Sequence, residues 1–143
     1  MAEMKTAAYI CGGCGIGERV STEQMAKIAE KEGKMNLVRE HEFLCNGAGV
    51  QMIRDDIEKE GVTHITIAAC SHRAKTEAFQ FPTAAVARAN IREGVIWSQP
   101  DTPEAKETTQ EMADDFVRMG CAEVKKMKLP AGNPDVGRNK RIL

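Results

Sequence analysis

The sequence has almost no net charge: 20 Lys and Arg stand against 21 Asp and Glu, leaving a formal −1. A balance so even gives no electrostatic reason to expect nucleic acid or an anionic membrane as partner. No apolar run approaches the length of a membrane span, so membrane insertion is not expected. The opening MAEMKTAAYI lacks the long apolar stretch of a signal peptide. A cytoplasmic protein is the expectation from these two absences. No internal repeat is visible, and no Ser/His/Asp or paired-carboxylate arrangement emerges. A catalyst acting on a substrate is therefore not expected; the chain reads as a binding or electron-transfer domain.

What is present is ordinary globular composition with an unusual set of cysteines. Hydrophobic residues are 42% and charged residues 29% of 143, which suits one folded domain able to bury a core without disulfides. There are five cysteines. In a reducing compartment an odd number of thiols points to metal binding or redox chemistry rather than to a disulfide framework.

Along the chain a short motif recurs: buried strand, glycine-bearing loop, helix. Thr6 to Cys11 is short, apolar and bounded by Gly12-Gly13, as a buried strand should be. Ser21 followed by Gln24 makes a capping box for a helix with Met25, Ile28 and Ala29 on its inner stripe, ending at Gly33. Met35 to Arg39 is a second strand, followed by a helix through Val50, Ile53 and Ile57 that Gly61 stops. His64 to Cys70 is the clearest strand, and a fourth is expected within Ala84 to Asn90, although that stretch is rich in alanine. From Thr102, with Pro103 at the first helical position, a long amphipathic helix is expected to about Lys128, with Ala113, Phe116, Val117, Gly120, Val124 and Met127 inward. Residues 1–128 thus read as one α/β domain. Its expected architecture is an open, mostly parallel sheet of about four strands, helices on both faces, and a long C-terminal helix. Residues 129–143, with two prolines and two glycines before KRIL, read as a linker and the first strand of a further domain.

In parallel sheets the ligand site lies beyond the carboxyl ends of the strands. Cys11 and Cys14 follow strand one, Cys45 follows strand two, and Cys70 ends strand three, so folding should gather four thiols at one edge. A close pair plus two distant single cysteines suits a tetrahedral zinc or a cubane iron-sulfur cluster, and the ligand types alone do not separate them. Only one pair is short, unlike the paired knuckles of structural zinc, which leans towards a cluster. Gly12, Gly13, Gly15 and Gly17 would let backbone N–H groups approach such a core. Cys121 reads as a buried small hydrophobe. His41 and His72 could substitute for a thiolate but are not needed. Arg73, Arg88 and Arg92 cluster after the third strand, where cations would favour a reduced core. Tyr9 and Trp97 read as core packing. Gly13, Gly15 and Gly17 fail the dinucleotide fingerprint because Glu18 stands where its last glycine belongs. Two other functions stay open on this reading: a structural zinc module for docking other proteins, and a dithiol oxidoreductase using Cys11 and Cys14.

The runs YICGGCG, HEFLC, IRDDIEKEG, ITIAACSHR and ANIREGVIW resemble, in order and spacing, the N-terminal domain of HdrA, a flavin and iron-sulfur component of heterodisulfide reductase. Related flavin subunits occur in ATP-independent benzoyl-CoA reductase complexes. The resemblance covers most of residues 5–128. It implies a small α/β module holding one [4Fe-4S] cluster through Cys11, Cys14, Cys45 and Cys70. It also implies an adjoining FAD domain in the same polypeptide, FAD not being bound by these residues, and other iron-sulfur or oxidoreductase subunits as partners. In that family the first pair is commonly C-x-C; here it is Cys11-Gly12-Gly13-Cys14, one residue wider.

Overall fold

Thr6–Cys11 forms β1, buried at every position, in a computed structural model that describes residues 3–132. On either side of it lie β2 (Leu37–His41) and β3 (His64–Ala69), and β4 (Ala85–Asn90) pairs beyond β3. The sheet order is β2-β1-β3-β4 and every pairing is parallel. The chain steps from β1 to β2 through α2 (Thr22–Lys31), then back across to β3 through α3 (Gly47–Glu60). Right-handed crossovers in opposite directions put those two helices on opposite faces. Side chains confirm this: the Tyr9 hydroxyl donates to Asp56 of α3 at 3.0 Å. On the other face, Thr66 donates to the Gly120 carbonyl of α4 (Lys106–Val124) at 3.1 Å. The α/β architecture expected from the sequence is the one observed.

Local chemistry explains most boundaries. Ser21 caps α2 by accepting from the Gln24 N–H at 3.1 Å, and Asn46 caps α3 by accepting from the Gly49 N–H at 2.7 Å. Gly61 ends α3 in left-handed backbone, φ 71°, where a side chain would be strained. β2 starts two residues later than Met35, because the Met35 N–H still bonds to Ala29 at the end of α2 and Lys34 makes the turn with φ 52°. The alanines of β4 are explained by α4. A Cβ at Gly120 would stand 2.9 Å from the Thr66 methyl and 3.3 Å from Ala89, so small residues on both sides let helix and sheet approach closely.

The C-terminal helix is shorter than expected. Pro103–Ala105 forms one tight turn, and α4 proper ends at Val124 with shorter-range bonds after it. Thr102 makes no side-chain cap. Ala113, Val117, Gly120 and Val124 are buried as expected, while Phe116 and Met127 are partly so. Two elements were not foreseen. A one-turn helix, α1 (Ile16–Arg19), follows the cysteine loop, and a π-helical turn, Arg92–Ile96, follows β4. Arg19 ties them together, donating to Ile96 O at 2.7 Å and Pro100 O at 3.0 Å. The expected linker from 129 continues beyond the described residues after 132, and the expected strand at Lys140–Leu143 lies outside them.

Candidate functional site

The carboxyl ends of β1, β2 and β3 open onto one small cavity of about 30 Å³. Cys11, Cys14, Cys45 and Cys70 all line it, together with Phe43, Phe79, Lys75 and Arg92. The four thiols nominated from the sequence are therefore brought to a single place. Cys11 and Cys70 are buried, Cys45 is half-buried and Cys14 is exposed. Among the described residues, no three His, Cys, Asp or Glu side chains stand close enough to share one metal ion. The fifth, Cys121, lies on the buried face of α4, and burial pushes its thiol up to about 11. As expected for a small core residue, it stands apart from the cavity.

The loop after β1 is shaped by its glycines. A Cβ at Gly13 would meet the Phe43 ring at 2.5 Å and the Glu42 carbonyl at 2.6 Å, and one at Gly17 would meet the Gly12 carbonyl at 3.0 Å. These glycines therefore pack loop against loop as much as they face the cavity. Cys14 itself adopts left-handed backbone, φ 54°, and so does Lys75 across the cavity, φ 54°. Such backbone is uncommon outside glycine and stores strain that recurs at functional sites. Burial raises the Cys11 thiol above its ordinary value, while the backbone N–H groups of Leu44 and Gly13 pull it down. The thiol itself donates to the Glu42 carbonyl at 3.7 Å.

Cations surround the thiols. Arg88 reaches from β4 through one nitrogen, Nη2, to Cys70 Sγ at 3.2 Å and to the carbonyls of Cys70, Ser71 and Ala74 at 3.0, 2.9 and 3.2 Å. Its guanidinium lies over the Phe79 ring, 4.6 Å from the centroid. Burial lowers Arg88, partly countered by the neighbouring Cys70. Its Nε is buried with no partner. Desolvation works against the charge on Arg92, but its pair with Glu93 and its place beside Cys14 outweigh this and hold it above the ordinary value. Of the ionisable lining residues other than cysteine, Lys75 and Arg92 are cationic and none is a carboxylate.

Other expectations fall differently. Arg73 and His72 are exposed and do not line the cavity. His41 accepts the Phe43 N–H on Nδ1 at 3.0 Å, so its role is to shape the Cys45 loop. Tyr9 is core, as expected. Trp97 is not: it is 65% exposed, with Arg92 stacked 4.9 Å from its ring. Two residues the sequence did not single out matter here. Glu93 accepts the Ser71 N–H at 2.6 Å, and Asn90 accepts the N–H groups of Glu93 and Gly94 at 3.1 Å each. An acidic residue beside Arg92 was visible, but nothing local linked it to Ser71.

Fold and site together define a class: a parallel α/β module whose strand ends gather thiols and cations at one edge. Over 133 residues, or 87% of the chain, it is 31% identical to the HdrA component of the H(2):CoB-CoM heterodisulfide,ferredoxin reductase of Methanothermobacter marburgensis. Over 98% of the chain it is 30% identical to the corresponding component of the ferredoxin/F(420)H(2)-dependent CoB-CoM heterodisulfide reductase of Methanosarcina acetivorans. An HdrA-like protein of Archaeoglobus profundus is 34% identical over 54% of the chain. The chain is thus a relative of the HdrA component of heterodisulfide reductase, matching one domain-sized segment of it. It spans about a fifth of the length of the first two, 20% and 18%, and 11% of the third. No protein-family model matches it.

Proposed function

We propose that this domain binds a [4Fe-4S] cluster through Cys11, Cys14, Cys45 and Cys70 and passes single electrons within a larger oxidoreductase. The observation that carries the reading is that thiols 3, 31 and 25 positions apart in sequence line one cavity at the carboxyl edge of the sheet. The surroundings fit a thiolate-bound, anionic core. Two cations and no carboxylate complete the ionisable lining, and Arg88 behind it places Nη2 3.2 Å from Cys70 Sγ. Single-ion spacing is absent among the described residues, so binding requires the thiol loops to draw together. Cys14 is the best placed to move, being exposed with a glycine on either side of it.

A bound cluster would supply one-electron exchange without bond-making at a substrate. The chain's own residues would do the rest. Cys11 and Cys70, buried, would bind it through thiols withdrawn from water, and Cys14 through an exposed one. Amides and arginines near the sulfurs favour the more negative, reduced state and raise its potential. A dithiol role fits less well, since Cys11 is buried and burial raises its thiol, the reverse of an attacking cysteine. The partners proposed on the family resemblance are an FAD domain of the same polypeptide and other iron-sulfur subunits of a reductase assembly.

Anaerobic reconstitution with iron and sulfide tests the reading. We expect about four irons per chain, a broad visible band that dithionite bleaches, and an EPR signal of the reduced state. Cys45→Ser and Cys70→Ser should each lose most of the iron. A protein that instead takes one zinc, stays colourless and gives no EPR signal would overturn the proposal in favour of a docking module.

A further inference from the structure

The site's thiol-bearing loops come from different strands, and something must set how far apart they stand. Backbone pairing fixes the strand ends but not the loops beyond them. The π-helical turn after β4 reaches across this gap. Asn90 caps it, holding the Glu93 and Gly94 N–H groups at 3.1 Å. π-helical turns are rare and recur at functional sites. Here the turn aims two consecutive side chains at two different loops. Glu93 Oε2 accepts the N–H of Ser71, the residue after Cys70, at 2.6 Å. Its other oxygen, Oε1, accepts from Arg92 Nε at 2.7 Å. Arg92 in turn lines the same cavity as Cys14 and stacks on the Trp97 ring. The pair is mostly withdrawn from water, with side-chain exposures of 18% for Arg92 and 27% for Glu93, so its geometry is held rather than sampled.

We propose that Glu93 is a positioning residue which, through Arg92 on one oxygen and the Ser71 amide on the other, sets the distance between the Cys14 loop and the Cys70 turn. This rests on the cluster reading above. Glu93 does not touch the core; it fixes where two of its ligands stand. Arg88 anchors the Cys70 turn from the sheet side, and Glu93 holds it from the side of the π-helical turn.

The test is Glu93→Gln in the full chain, an isosteric change that keeps an acceptor but removes the charge from the bridge. In the metal-free protein the Ser71 amide should exchange roughly tenfold faster or more, the loss expected for a hydrogen bond to a charged group, while the overall fold is kept. After reconstitution, the variant should show altered EPR g-values and a shifted midpoint potential relative to wild type. If Glu93→Gln does not fold, Arg92→Gln breaks the same bridge from its other end and should give the same spectral change. Faster exchange with g-values and potential unchanged would reduce Glu93 to a structural residue and overturn the inference alone. A wild-type chain that takes up no cluster would overturn the functional reading, and this inference with it.

Discussion

Two glycines two residues apart on α3 should respond to the same mutation with opposite signs. Gly47 has nothing within 4 Å of the position its Cβ would occupy, whereas a Cβ at Gly49 would stand 2.5 Å from Leu44 O and 2.6 Å from both Leu44 Cα and Phe43 O. Those three atoms are backbone of the loop that carries Cys45, so none can rotate away. Carbon contacts settle near about 3.5–4.0 Å, and helix and loop must therefore part by roughly 1 Å. Overpacking of this kind costs about 1–3 kcal/mol, against a gain of up to about 1 kcal/mol for replacing glycine in a helix. Gly49→Ala should therefore destabilise by about 1–2 kcal/mol, a fall in Tm of about 5 °C for a domain of this size. Gly47→Ala, free of any neighbour, should be neutral or more stable by a few tenths of a kcal/mol. Urea unfolding of the reduced, metal-free protein measures both, with the m-value checked for constancy. Gly49→Ala as stable as Gly47→Ala would show that the Cys45 loop is not held by this close approach. The same variant should also take up less iron, because its Cys45 loop is displaced.

Four other outcomes follow from the buried polar groups. Burial, aided by Asp56, raises the hydroxyl of Tyr9, the sole tyrosine, above its ordinary value. The unfolded chain gives up that proton near pH 10 while the folded chain keeps it, so stability is full below about pH 10 and lost above it; the phenolate absorbance should appear only with unfolding, and a midpoint near 10 in the folded protein would contradict this. Tyr9→Phe should cost about 0.5–1.5 kcal/mol in urea unfolding, and Asp56→Ala about 1–3 kcal/mol, because it leaves the buried Tyr9 hydroxyl without its acceptor and also removes a pair with the solvent-facing Arg39, bonded at 3.0 and 3.2 Å. Arg88→Met removes a cation 3.2 Å from Cys70 Sγ, so the reconstituted protein should titrate at a lower midpoint potential; an unchanged or higher value would deny Arg88 an electrostatic role.

The sequence alone determined the four strands and the three longer helices, though not the one-turn α1, because that information is local. Thr6–Cys11 and His64–Ala69 are short apolar runs bounded by loop residues, and Ser21, Asn46 and Gly61 cap or stop helices through bonds made within a few residues. Parallel topology then placed Cys11, Cys14, Cys45 and Cys70 at one edge, since strand ends in such a sheet all point the same way. Three features stayed beyond sequence reading: the turn at Arg92–Ile96, the Glu93 bridge to Ser71, and the Arg88 nitrogen shared among Cys70, Ser71 and Ala74. Only the tertiary structure decided these, and the exposure of Trp97 with them. The Glu93 and Arg88 contacts join residues 14 or more apart, at distances set by how closely the loops pack on the sheet, and no local pattern of hydrophobicity or capping encodes such a distance.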